Sequence, residues 1–230
     1  MRSFTINQSI HSEKDLGLRI TKPPAIPSSK QVVDHLEVLG REGTLTRVQG
    51  WEDQELSFQV AVQGQNLLTG YRAATAALMS ALTVELSASP GVFYQVKNVV
   101  VGAIQQVLTT VGVFEIQMRL APFAYLKNTP TITFTGQKTL TNLGNVYSLP
   151  VITVEGTGTH TLTINDQVFT IKNPTGLVTI DSALRVCRVG TKAGIDAITP
   201  DYPTFAVGAN TVKASSGATK VTVQPNWRML

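Results

Sequence analysis

Residues 142–171 constrain the fold more than any other stretch of the chain. They read Asn-Leu-Gly-Asn-Val-Tyr-Ser-Leu-Pro, then Val-Ile-Thr-Val-Glu-Gly-Thr-Gly-Thr-His, then Thr-Leu-Thr-Ile-Asn-Asp-Gln-Val-Phe-Thr-Ile. Apolar and polar residues alternate in short runs, and Gly, Asn, Asp and Pro cut those runs at close intervals. Side chains in a strand point to opposite faces at successive positions, so this pattern makes half-buried antiparallel strands joined by tight turns. The stretch holds no acid pair, metal-ligand cluster, or nucleophile with a base. It reads as part of a small β-sandwich without chemistry of its own.

The same pattern recurs before it. In residues 54–62, Leu56, Phe58, Val60 and Val62 fall on one face, and in 112–120 Phe114, Ile116 and Met118 do so. Strands are also expected near residues 4–7, 18–22, 32–39, 44–49, 92–101 and 104–111. One segment breaks the period. Leu67, Tyr71, Ala74, Leu78 and Leu82 follow helical spacing, which predicts a helix over 66–82 with Asn66 as N-cap. Met79 is expected to pack within or beside the core. Pro23, Pro24 and Pro27 make residues 23–29 an extended connection, read either as an arm on a neighbouring subunit or as a solvent loop.

Pro122 is expected to break the ladder after residue 120, with a hinge over 126–130. Beyond 132 Thr and Gly rise and Glu155 is the only glutamate after Glu115. We therefore expect a mostly-β protein of two domains. Residues 1–130 form a β domain with one packed helix, residues 131–218 form a β-sandwich, and a final strand, 219–230, carries Trp227. No tandem repeat at a solenoid period is present.

Composition narrows the function classes. The chain has 230 residues and a net charge of +4, and its basic residues form no run or stripe of the kind nucleic-acid binders use. No apolar run approaches the ~20 residues that span a bilayer, so no membrane association is expected. The N-terminal segment lacks the apolar core of a signal peptide, which predicts synthesis in the cytoplasm without general secretory export.

Cys187 is the single cysteine, so no internal disulfide forms, and alternation around it predicts a buried, inert thiol. His11 with Glu13, and His35 with Glu37, have a His-x-Glu spacing, but no further ligands accompany them; His160 lies in a Gly-Thr turn region. Zinc needs more donors than either pair supplies. Glu52, Asp53 and Glu55 form the densest acidic cluster; glycosidase work would require a groove lined with aromatics, so a charged loop or subunit contact is expected. Gly40-Arg41-Glu42-Gly43 and Gly156-Thr157-Gly158 lack the phosphate-loop pattern and lead into no helix, so they read as turns. No catalytic, cofactor-binding or metal-binding residue and no cofactor is predicted.

The order of these features resembles the distal tail protein family, Dit, of long non-contractile-tailed (siphovirus-type) phages. The landmarks in the first half are Asp15-Leu16-Gly17-Leu18 with the prolines after it, Gly40-Arg41-Glu42-Gly43, the helix from Asn66, residues 112–118, and Ala121-Pro122-Phe123-Ala124-Tyr125. In the second half they are residues 142–150, Leu162-Thr163-Ile164-Asn165-Asp166, residues 178–181, residues 205–210, and Pro225-Asn226-Trp227. The resemblance implies an N-terminal ring-forming β domain and a C-terminal galectin-like sandwich, with the final strand returning to the first domain. It implies a virion structural protein, not an enzyme: a baseplate hub whose ring, six-fold by that likeness, sits at the distal end of the tail. Its partners would be further copies of itself, the tail tube, the tape-measure end, a tail-associated lysin or fibre, and a receptor-binding protein. DNA would pass through without specific binding. The chain departs from the family in having no room for the long inserted carbohydrate-binding modules, and in turning after Ile164 with Asn-Asp-Gln rather than Asn-Gly.

The alternative is a carbohydrate-binding module contacting the host cell wall. Galactose-binding galectins stack sugar on Trp, and between residues 132 and 215 there is no Trp, one His, and only Arg185 and Arg188 for arginine. The sandwich therefore lacks a reconstructable sugar site, and the lectin function does not follow from the fold.

Overall fold

The computed structural model describes residues 3–173, 176–199 and 201–230. Met1 and Arg2, which open the segment read above for an export signal, lie outside the described residues. The chain divides into two compact units, one running to Ala124 together with Leu230, the other spanning Tyr125–Met229. The mostly-β expectation holds: strands dominate, and among the described residues there is one α-helix.

The first unit contains β1 (Phe4–Ile6), β2 (Ile10–His11), β3 (Leu18–Ile20), β4 (Gln31–Glu37), β5 (Thr44–Trp51) and β6 (Gln54–Gln63). Then come α1 (Leu67–Met79), β7 (Thr83–Leu86), β8 (Val92–Val101), β9 (Gln105–Leu108) and β10 (Val111–Leu126). Its main sheet runs β2-β1-β7-β8-β10-β6-β3, with β9 on β10. Register explains the core. Phe58 stands opposite Ile116, Val60 opposite Phe114 and Leu56 opposite Met118, so both apolar faces coincide, and all six side chains are buried.

The helix covers this face through Leu67, Ala74 and Leu78. Tyr71 meets the Phe114 ring edge-on at 5.0 Å and donates its hydroxyl to the Gly102 carbonyl at 2.9 Å. The helix is shorter than its periodicity predicts. It stops at Ser80, whose N–H turns back to Ala77, so Leu82 lies beyond it and is exposed. Asn66 holds the N-cap position without a side-chain cap bond. Met79 does not pack in the core; it is 57% exposed, because it lies off the Leu67–Ala74–Leu78 stripe.

Pro122 does not end its strand. The β6 ladder closes at Leu120 opposite Gln54, two positions before Pro122, so the missing N–H costs that ladder no bond. The Pro122 carbonyl accepts from the Ser29 hydroxyl and, at 2.6 Å, from Gln54 Nε2. Residues 23–29 are thereby fastened to their own unit at Ser29, while Pro23 and Pro24 line a small hollow beside Ile20 and Leu86.

The second unit contains β11 (Ile132–Phe134), β12 (Gln137–Asn142), β13 (Val151–Glu155), β14 (Gly158–Ile164), β15 (Gln167–Asn173) and β16 (Leu177–Asp181). It continues with β17 (Val186–Val189), β18 (Lys192–Ala193), β19 (Ile198–Thr199), β20 (Gly208–Ala214), β21 (Lys220–Gln224) and β22 (Arg228–Met229). Two sheets, β11-β21-β13-β16-β17-β18 and β12-β20-β14-β15-β19, face each other as a sandwich. Ile152, Ile180 and Val223 from one sheet share a core with Leu162, Ile171 and Val212 from the other. The tight turn after β14 works without an Asn-Gly pair: Asn165 takes a left-handed φ of 52° and bonds Thr211 through both backbone and side chain.

The C-terminal segment lies mostly in this second unit. β21 inserts between β11 and β13, with Val223 opposite both Ile132 and Ile152, and Trp227 packs on Phe205 at 5.7 Å. Its inward valines complete the sandwich core, while β22 pairs with β10 and Leu230 groups with the first unit. Among the described residues no helix is long and apolar enough to cross a membrane.

Candidate functional site

The residues that chemistry would use are dispersed through the molecule. His11 meets the Thr5 hydroxyl through Nδ1 at 3.0 Å, while Glu13 approaches Arg19 at 4.0 Å. His35 and Glu37 do share a face of β4, two residues apart, but threonines stand opposite both of them. Among the described residues no group of three or more His, Cys, Asp or Glu side chains is placed to hold a metal. Cys187 is buried opposite Ile180, and burial pushes its thiol pKa up, which disfavours the reactive thiolate.

His160 is fully enclosed, unlike an ordinary turn histidine. It is 2% exposed, and a side chain on Gly156 or Gly217 would crowd its ring at 3.2 and 3.1 Å. Neither ring nitrogen has a hydrogen-bond partner among the described residues. Arg185 pairs with Asp201 at 2.6 Å and lies over the Tyr202 ring, whereas Arg188 stands on β17 opposite Thr179. The two glycine-rich motifs are turns: Gly40, Gly43, Gly156 and Gly158 all take positive φ.

The acidic cluster occupies a groove of about 760 Å³, where Trp51, Glu52 and Glu55 face Lys30 and Arg119. Trp51 is held edge-on by Phe123 at 5.3 Å. Asp53 sits between two cations contributed by other strands. Lys97 Nζ reaches its Oδ1 at 2.5 Å and Arg119 Nε its Oδ2 at 2.9 Å. The Lys97 hydrogen bond, then that of Arg119, holds this carboxyl below the usual carboxylate range, against the opposing effect of burial. A carboxylate so committed cannot act as a general acid near neutral pH. The spacing in sequence shows the acids; Lys97 and Arg119, 44 and 66 residues away, become visible only in the sheet.

Residues 142–150 form a braced loop. Asn142 is buried and donates to the carbonyls of Val146 and Ala206 at 2.9 and 3.1 Å, while its oxygen accepts from Gly144 N–H at 2.9 Å. Arg228 donates twice to the Tyr147 carbonyl and covers its ring at 4.6 Å. Gly144 is required by close approach, because a Cβ there would lie 2.0 Å from the Arg228 carbonyl oxygen. Trp227, next to Arg228, adds a tryptophan to the sandwich, but it is buried in the core.

The most unusual surface belongs to β4 and β5. They pair only with each other among the described residues. Leu36 and Leu45 stand opposite one another and are 51% and 43% exposed, Val48 is exposed on the other face, and Leu39 at the tip is fully exposed. The strand periods predicted the hairpin, but not that it would stand apart from the core.

No protein-family model matches the chain, and no curated protein sequence matches it. Solved structures do. The Dit protein (gp 19.1) of SPP1, described as a paradigm of the hub adsorption apparatus in phages that infect Gram-positive bacteria, aligns over 97% of this chain and 97% of its own, with a TM-score of 0.61 at 12% identity. This chain has a Dit-like fold. A chain of the phage P2 baseplate, in its activated conformation with Ca, aligns over 97% of both chains with a TM-score of 0.53 at 9% identity. The likeness runs through both units, so the Dit-like fold includes the sandwich as well as the helix-bearing first unit.

Proposed function

We propose that this chain is a structural phage tail protein, a distal tail hub located at the tip of the virion tail. Copies close into a six-fold ring at the end of the tail tube. The ring joins the tube and tape-measure end to a tail-associated lysin or fibre and to receptor-binding proteins, and leaves a channel through which DNA passes. The observation that carries this reading is the end-to-end correspondence of a two-unit chain with the SPP1 hub protein, with almost nothing left over in either.

The mechanism is geometric. A heterologous contact repeated around a rotation axis closes into a platform, and the outward unit of each copy presents the same docking face. Weak contacts with partners then act together through effective concentration. The dispersal of the titratable groups and the commitment of Asp53 to Lys97 and Arg119 favour such a role over a hydrolase. The burial of Trp227 favours it over a sugar-binding sandwich.

The test is size-exclusion chromatography with light scattering and negative-stain imaging of the full chain, alone and with a tube or lysin partner. Six-fold rings are expected. A strict monomer under every condition overturns the reading.

A further inference from the structure

We propose that the groove around Trp51, in the first unit, binds a neutral oligosaccharide. The inference concerns that unit alone and does not rest on the ring reading.

Gln54 is the strongest sign of a ligand. It lines the groove and is 4% exposed. Its Nε2 donates to the Ser29 hydroxyl and to the Pro122 carbonyl, both at 2.6 Å, so the amide is pinned. Its Oε1 has no hydrogen-bond partner among the described residues. Buried acceptors in native folds almost always meet a donor. An amide oxygen held unpaired beside an open groove therefore marks a place for an incoming O–H.

The other walls suit the same ligand. Trp51 offers half-buried apolar surface, braced edge-on by Phe123 at 5.3 Å, and such a surface takes the C–H face of a sugar ring. Glu52 and Glu55 supply carboxylate oxygens, which accept hydroxyl protons in charge-assisted bonds. Arg119 is held through Nε by Asp53 at 2.9 Å, so its planar guanidinium stands oriented as a donor. A sugar hydroxyl both donates and accepts, so one sugar chain engages Glu55, Gln54 and Arg119 together.

Charge and size choose the class. Glu52, Asp53 and Glu55 are balanced by Lys30, Lys97 and Arg119, so the groove has no net charge to draw an ion. Its volume of about 760 Å³ lies within the ~300–1,000 Å³ of small-molecule sites. Glu55 and Arg119 also line a second hollow of about 560 Å³, whose wall adds the amides of Asn98 and Gln117. Two hollows that share a wall fit a chain of sugars better than a single ring. Asp53 is committed to its two cations, so the groove binds without cleaving.

The test is fluorescence titration of the full chain carrying Trp227→Phe. That change leaves Trp51 as the only tryptophan and keeps an aromatic ring beside Phe205. The probes are cello-, malto-, xylo- and N-acetylchito-tetraoses, followed by an array of bacterial wall and capsule glycans. A saturable change of the Trp51 signal is expected, equal at about 0.1 M and about 1 M NaCl. By calorimetry, Glu55→Gln is expected to weaken binding about tenfold and Trp51→Ala to abolish it. Glu55 is exposed, so the urea midpoint of Glu55→Gln stays near that of wild type and separates lost binding from lost folding. Absence of binding to every glycan overturns the proposal. Binding that fades in high salt marks a polyionic or peptide ligand and overturns it too, as does binding undiminished in both variants. A chain that forms rings yet binds no glycan loses the groove and keeps the hub reading; one that binds yet never assembles loses the hub reading and keeps the groove.

Discussion

Two strand pairs of the first unit, β6 with β10 and β4 with β5, are written in the same local language and end in opposite surroundings. In β6–β10, Phe58 stands opposite Ile116 and both disappear into the core. In β4–β5, Leu36 stands opposite Leu45 and both face solvent. The registers are alike. What differs is the neighbourhood: β6–β10 has strands on both flanks and α1 across one face, whereas β4–β5 has neither among the described residues. An apolar cross-strand pair therefore specifies a ladder and says nothing about what covers it.

The largest effect that can break this comparison lies in the buried pair. Phe58→Ala removes a core aromatic and is expected to lower stability by about 3–5 kcal/mol, read as a fall in the urea midpoint at unchanged slope. A loss below about 1 kcal/mol would mean that this face is not the working core. Next comes a loop set against a loop. The hairpin tip at residues 38–43 has a turn bond from Arg41 N–H to the Val38 carbonyl, while residues 142–150 hang on buried Asn142. Asn142→Ala leaves two carbonyls and an N–H without that partner and is expected to cost about 1–3 kcal/mol, with faster hydrogen exchange in residues 142–150.

Smaller is the effect at Asp53. Its partners are largely exposed, so Asp53→Asn is expected to cost about 0.2–1 kcal/mol, less at high salt. The folded-state pKa lies below the ordinary value of 3.8. The stabilisation is thus complete above that value and is lost as pH falls below it through the folded pKa. Chemical unfolding of wild type and Asp53→Asn should differ by a constant amount from pH 5 to 8 and converge only in acid. Smallest is Leu36→Ala, expected within about 0.5 kcal/mol of wild type for the isolated chain. A loss comparable to that of Phe58→Ala would show that the hairpin is covered by its own chain.

Much of the fold is legible in the sequence for a simple reason. Alternation fixes which side chains share a face, so spacing alone groups Leu56, Phe58, Val60 and Val62, and the helical stripe from Leu67 through Leu78 is equally direct. Errors gather where tertiary context decides. Pro122 reads as a stop, and the β6 ladder does close at Leu120, yet β10 itself runs on to Leu126. Met79 reads as packing material, yet lies off the buried stripe. Nothing in the order of residues places Lys97 and Arg119 around Asp53, or Arg228 over Tyr147.

By itself, then, the sequence determined the β character, the single helix, the turns and the scarcity of chemical groups, because these depend on neighbours a few positions apart. Only the tertiary structure decided which apolar strands are covered, which strands flank β21, and that the β4–β5 hairpin stands free. Those outcomes depend on contacts between residues many tens of positions apart, and the local pattern of Leu36 and Leu45 is the same whether a sheet or water lies beside it.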